Sequence, residues 1–274
     1  MHFRTSNTVI IFIALMPLFS CKEIIDINTV VAEPQIVVEA GIGTNETPVV
    51  YLTKTVDIDN LNEFPAVGNA KITMTDDKGR SVTLVESSPG QYIGATPALT
   101  GKVGNTYQLT IETGSKIITA AGTIPSQVKM DSVKILNSIY PGGGSPLNSS
   151  QKADFYEIKV KYSDPVNEEN YYRFVISLNG KVTSSNNVYD DKWNNGKQVE
   201  TNLIMYNPDI KAGDLIGVEM QCIDKAVFEY FKSMRNSNGP RNASSPANPY
   251  TNLNGSLLGF FSAHTVERRE FRIN

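Results

Sequence analysis

Few residues in this chain are placed to do chemistry. His264 is the only histidine after His2, so a Ser-His-Asp or Cys-His arrangement in the body of the protein would have to use it. It stands in Phe260-Phe261-Ser262-Ala263-His264-Thr265, a short apolar strand pattern in which a packed or surface histidine is expected, not a base. There are two cysteines. Cys222 ends Ile216-Gly-Val218-Glu-Met220-Gln-Cys222, where alternate positions are apolar, and reads as a buried strand thiol. That count excludes zinc or copper sites built on several His and Cys ligands. The sequence holds no G-x-S-x-G elbow, H-E-x-x-H, C-x-x-C, phosphate loop or G-x-G-x-x-G, so neither a catalytic residue nor a cofactor is assigned.

Carboxylates and one aromatic loop remain. Asp57, Asp59, Asn60 and Glu63, and separately Asp164, Glu168 and Glu169, offer oxygens to calcium but lack the D-x-D-x-D-G spacing, so no metal is assigned. A glycosidase needs two carboxylates facing across a cleft, and 28 acids supply such pairs by chance. A carboxylate-based glycan hydrolase is therefore only an alternative. The loop from Asn186 to Lys197 contains the only tryptophan beside acids and amides. Tyr189, Asp190, Asp191, Trp193 and Asn194 form a candidate ligand-binding group, since an aromatic platform with adjacent polar groups suits sugar or peptide recognition. The competing reading lays the Trp193 ring on a sheet while Asp and Asn close the turn.

The elements that must position these residues are mostly strands. Between Pro34 and Pro125 the expected strands are Gln35–Ala40, Val49–Thr55, Lys71–Thr75, Ser81–Val85, Thr106–Thr113 and Lys116–Ile124. Ile72 and Met74 alternate with Lys71, Thr73 and Thr75, and Tyr107, Leu109 and Ile111 alternate with Gln108, Thr110 and Glu112. Asp76-Asp77-Lys78-Gly79, Ser87-Ser88-Pro89-Gly90 and Gly114-Ser115 supply the turns. This pattern implies an Ig-like β-sandwich over residues 34–125.

After a seam at Pro125-Ser126, Val133–Leu136, Phe155–Tyr162, Tyr171–Leu178, Val199–Tyr206 and Asp214–Ile223 read as strands, with a solvent loop from Tyr140 to Ser150. Asp224 is the expected N-cap of one helix near 225–235, with Val227, Phe228, Phe231 and Met234 on one stripe. Leu257–His264 and Val266–Ile273 read as a closing hairpin. Residues 126–274 thus form a second β-rich domain with one helix. The expected class is mainly β.

The N-terminal residues decide location. Arg4, the apolar run Val9–Phe19 and Ser20-Cys21 make a leader too short to span a bilayer as a mature helix. The segment resembles a bacterial lipoprotein signal peptide, which implies removal of residues 1–20 and acylation of Cys21 with palmitate-type chains. Residues 21–33 then form a lipidated tether, of which the eleven residues Lys22–Ala32 reach roughly 35–40 Å when extended. With Cys21 acylated, Cys222 has no disulfide partner. The net charge is −3, or −4 once Arg4 leaves with the leader, and there is no basic stripe. Nucleic-acid binding is disfavoured. At 40% hydrophobic content the chain can bury a core.

Several stretches in order resemble a family of Bacteroidota outer-membrane lipoproteins known as a domain of unknown function, number 4249. They are Cys21-Lys-Glu-Ile-Ile-Asp26 running into Glu33–Glu39, Val67–Asp77 with Gly79, Pro89-Gly90-Gln-Tyr92, and Gly104–Glu112. Cys222–Phe231, Asn248-Pro249, Asn252–Gly255 and Leu258–Ser262 complete the set. The resemblance implies a membrane-anchored accessory or binding protein beside a TonB-dependent receptor, non-enzymatic, with no catalytic residue to carry over. A structural or adhesive envelope role is a further alternative. The first half also resembles the transthyretin-like sandwich of regulatory modules. Lys22-Glu23 partly resembles a surface-export signal, leaving either leaflet of the outer membrane open. Asp131-Ser132-Val133 resembles an O-glycosylation acceptor of exported Bacteroidota proteins.

Overall fold

Alternating apolar side chains turn most of the chain into strands, and the protein is mainly β with one helix among its described residues. This computed structural model describes residues 33–57, 64–95, 99–140, 153–166, 168–206, 210–237, 248–256 and 258–273. The expected leader, Cys21, the tether as far as residue 32, the Asp59-Asn60-Glu63 acids and most of the Tyr140–Ser150 loop lie outside them. Pro34–Asn274 is one compact unit.

Eight strands form one sheet. They are β1 (Ile36–Gly43), β2 (Val49–Lys54), β3 (Lys71–Asp76), β4 (Ser81–Ser88), β5 (Gln91–Gly94), β6 (Thr106–Thr113), β7 (Lys116–Thr123) and β14 (Leu258–His264). Their order is β14-β1-β2-β5-β4-β3-β6-β7. One face of every strand enters a single core that includes Val38, Leu52, Met74, Tyr107 and Phe261. The sheet curls until its ends meet. A Cβ placed on Gly122 of β7 would lie 3.2 Å from the Ala263 methyl of β14. The strands expected as a sandwich are neighbours in one continuous hydrogen-bonded sheet. At the β3–β4 turn, Asp76 Oδ1 accepts from the backbone N–H of Lys78 and Arg80, and Oδ2 accepts from Arg80 Nε at 2.7 Å. These bonds outweigh the upward pull of burial and hold the Asp76 carboxyl below the usual range.

Two smaller sheets follow. β8 (Met130–Tyr140), β9 (Ala153–Ser163) and β12 (Gln198–Tyr206) pair in the order β12-β9-β8. β10 (Tyr171–Leu178), β11 (Lys181–Asp190), β13 (Leu215–Ile223) and β15 (Glu267–Arg272) pair as β11-β10-β13-β15. Their facing apolar rows share a second core, in which the Tyr162 ring packs at a tilt with its centre 4.7 Å from that of Tyr172 and 6.0 Å from that of Phe174. Cys222 is a buried free thiol in that core, pushed up by its burial. Asp224 Oδ1 accepts from Val227 N at 2.8 Å, so it caps the helix α1 (Lys225–Ser237) as expected. The helix buries Val227, Phe228 and Phe231 against Val188 and Ile223.

Several expectations change. Leu257–His264 and Val266–Ile273 do not close as a hairpin, because β14 pairs in parallel with β1 while β15 pairs with β13. The first sheet therefore takes a strand from beyond the Pro125-Ser126 seam. Proximity in sequence proposed the hairpin, but the apolar face of β14 is needed by the first core. β5 and β11 were not expected as strands. Since β11 runs through Asp190, the candidate loop reduces to 191–197.

Candidate functional site

The outward faces of the large sheet and the four-stranded sheet meet around a cavity of about 620 Å³. Alternation decides which residues reach it. On β1 the residues Val38, Ala40 and Ile42 turn to the core, so Glu39, Gly41 and Gly43 turn the other way. Their register partners on β14 are Phe260, Ser262 and His264, and on β2 Tyr51 and Val49. From the opposite side, β10 presents Arg173 and Val175, whose partners on β13 are Gln221 and Glu219. Phe231 and Met234 of α1 close one end, while Ser185 and Asn186 of β11 line a wall.

Its polar groups are tightly ordered. Arg173 donates through Nε to Ser185 O at 2.8 Å and through Nη1 to Gln221 Oε1 at 3.0 Å, with its guanidinium carbon 4.2 Å from the Phe231 ring centre. Burial pulls its pKa down to about 10, against the opposing charges of Glu219 and Glu39. Gln221 Nε2 donates to Glu219. Arg268 bridges Glu46 and Glu219, each at 2.5 Å. His264 is buried, with Nδ1 3.0 Å from Ser262 Oγ. Its burial, reinforced by the charge of Arg173, lowers its pKa to about 4, so the ring is neutral at pH 7.

The five residues singled out in the 186–197 segment do not converge. Tyr189 packs on the second core, its ring centre 5.9 Å from that of Phe174, and burial pushes its phenol up. Asp190 is half-buried on β11. Asp191 is buried and structural: Oδ2 accepts from Asn170 N at 2.9 Å, and its carbonyl accepts from Asn194 N and Asn195 N. Trp193 is 76% exposed, so its ring does not lie on the sheet, and Lys192 Nζ stands 5.2 Å from it. Asn194 is half-buried in the turn. Of the second acidic group, Asp164 accepts from Tyr172 OH and Gly196 N, whereas Glu169 accepts from Tyr171 OH and pairs with Lys225. Among the described residues no group of three or more His, Cys, Asp or Glu is disposed to hold a metal.

The family model for a domain of unknown function, DUF4249, matches residues 22–270. The chain belongs to the DUF4249 family. No curated protein matches it.

In this DUF4249 chain the cavity went unseen in the sequence because Glu39, Arg173, Glu219 and His264 are scattered over 226 positions of ordinary strand text. One signal was there: Phe260 and Phe261 are adjacent, so β14 carries aromatics on both faces and neither face is free for water. His264 also makes the site sensitive to acid. Below pH 6.5 the unfolded chain binds a proton that the folded ring refuses down to about pH 4. Folding free energy should therefore fall, as pH drops through that window, by on the order of 3 kcal/mol from this residue. Urea midpoints against pH should show a steeper decline for the native protein than for His264→Gln. Equal slopes would show that the imidazole is not held neutral.

Proposed function

We propose that this protein is a lipid-anchored accessory lipoprotein of the outer membrane, in either leaflet, which binds a small ligand for a TonB-dependent uptake system and does no chemistry on it. The inter-sheet cavity is the observation that carries the reading. A site of roughly 300–1,000 Å³ with apolar walls and a few fixed polar groups is the usual form of a ligand pocket, and this one measures about 620 Å³. Its carboxylates favour binding over hydrolysis, because Glu46 and Glu219 share Arg268 and leave only Glu39 unpaired among them. Glycosidic hydrolysis needs two carboxylates in complementary roles.

The anchor rests on the lipoprotein-like leader ending at Cys21. Among the described residues no helix is long and apolar enough to cross a membrane. Two or more acyl chains hold a protein durably where one does so only marginally, at about 0.8 kcal/mol per buried CH₂. The partnership with a receptor rests on the family resemblance. Solubilising native membranes in mild detergent and isolating this protein should recover a TonB-dependent receptor with it. Recovery of the protein with no such receptor would remove the uptake role.

A further inference from the structure

We propose that the cavity takes a small organic anion, a carboxylate on an apolar body, with Arg173 as its counter-ion. This deepens the binding reading of the same cavity and rests on it. The guanidinium lies in the cavity wall, yet no carboxylate of the described residues comes within 4.0 Å of it. Its Nε and Nη1 have protein acceptors, while Nη2 has none among the described residues. A cation withdrawn from water without a paired anion is costly, and a carboxylate against its free edge would supply a charge-assisted bond.

The nearby acids do not serve. Glu46 and Glu219 are held by Arg268, and Glu219 also accepts from Gln221. Glu39 lines the cavity and acts on Arg173 only at longer range, with no ion pair between them, so it opposes an incoming anion without taking its place. His264 adds no positive charge at neutral pH, and its Nε2 has no protein partner among the described residues. Phe231, Phe260, Met234 and Val175 supply apolar walls for the body of the ligand. The anion thus meets one open cationic edge and little opposing charge at depth.

The probes are 6-phenylhexanoate, its primary amide and 6-phenylhexylamine, which share one apolar body and differ in charge. Calorimetric titration of the full chain in lipid nanodiscs, with empty nanodiscs subtracted, should show the acid binding at least about tenfold tighter than the amide, and the amine weakest. Arg173→Gln should remove that preference. Glu39→Gln, an exposed position that folding should tolerate, should tighten the acid several-fold and leave the amide unchanged. Equal or tighter binding of the amide or amine, or no change of the acid in Glu39→Gln, overturns the anion assignment and leaves the cavity as a ligand site. Absence of saturable binding by all three overturns the cavity reading itself.

Discussion

Replacing Gly259 by alanine should abolish the native fold under conditions where most glycine replacements are tolerated. Gly259 is the second residue of β14, opposite Val38 of β1, and has φ +106°, a region costly for any residue with a side chain. A Cβ there would lie 1.9 Å from Val38 O and 2.7 Å from Val38 N, and both are backbone atoms that cannot move without breaking the ladder. The expected loss exceeds about 4 kcal/mol, a large part of the roughly 5–15 kcal/mol that holds a domain together. Gly79→Ala makes the comparison sharp. It too has positive φ, at +78°, but nothing lies within 4 Å of its Cβ. That variant should lose only the strain of the left-handed region, about 1–2 kcal/mol. Circular dichroism during urea unfolding would separate them. A Gly259→Ala protein within about 1 kcal/mol of native would mean that the parallel β14–β1 pairing does not hold the two halves of the chain together.

The second large effect concerns place. On the proposed acylation of Cys21, Cys21→Ala should take membrane association from near-complete to background, because among the described residues no helix is long and apolar enough to cross a bilayer. Fractionation followed by an immunoblot would read it, with uncleaved precursor or soluble protein both expected. Unchanged partitioning of a cleaved form would refute lipidation.

Strands whose two faces differ were legible in the sequence. Tyr156, Ile158, Val160 and Tyr162 on β9, and Ile72 and Met74 on β3, all point to cores as their alternation requires. The helix was legible too, since its stripe and its Asp224 cap agree. Strand β11 was not, because its middle, Thr183–Asn187, is polar on both faces and the strand forms the sheet's edge. The signal for it lay just upstream in Asn179-Gly180, both at positive φ, the turn chemistry of a two-residue hairpin. Strand β5 has only four residues, preceded by Gly90 and ending in Gly94, too few for a period to show.

Pairing partners were the least legible. β14 joins β1 from more than 200 positions away, and no local pattern encodes such a choice. The cavity depends on that choice: without β14 beside β1, Ser262 and His264 would not face Arg173 and Gln221 across it. The Asn186–Lys197 segment drew notice because rare residue types are adjacent in it. Folding then separates them, leaving Tyr189 packed on the second core and Trp193 in solvent.

Gly41 lines the cavity, and a side chain can start there without a clash at its first carbon. A Cβ added there meets His264 Cε1 at 3.4 Å and Ser262 O at 3.5 Å, which is ordinary contact. Native mass spectrometry of the full chain, released from its own membrane in mild detergent, is the most direct test of a ligand-binding cavity. The native protein should carry an additional small-molecule mass that Gly41→Leu lacks while remaining folded. The same bound mass on both proteins, or none on either, would contradict it.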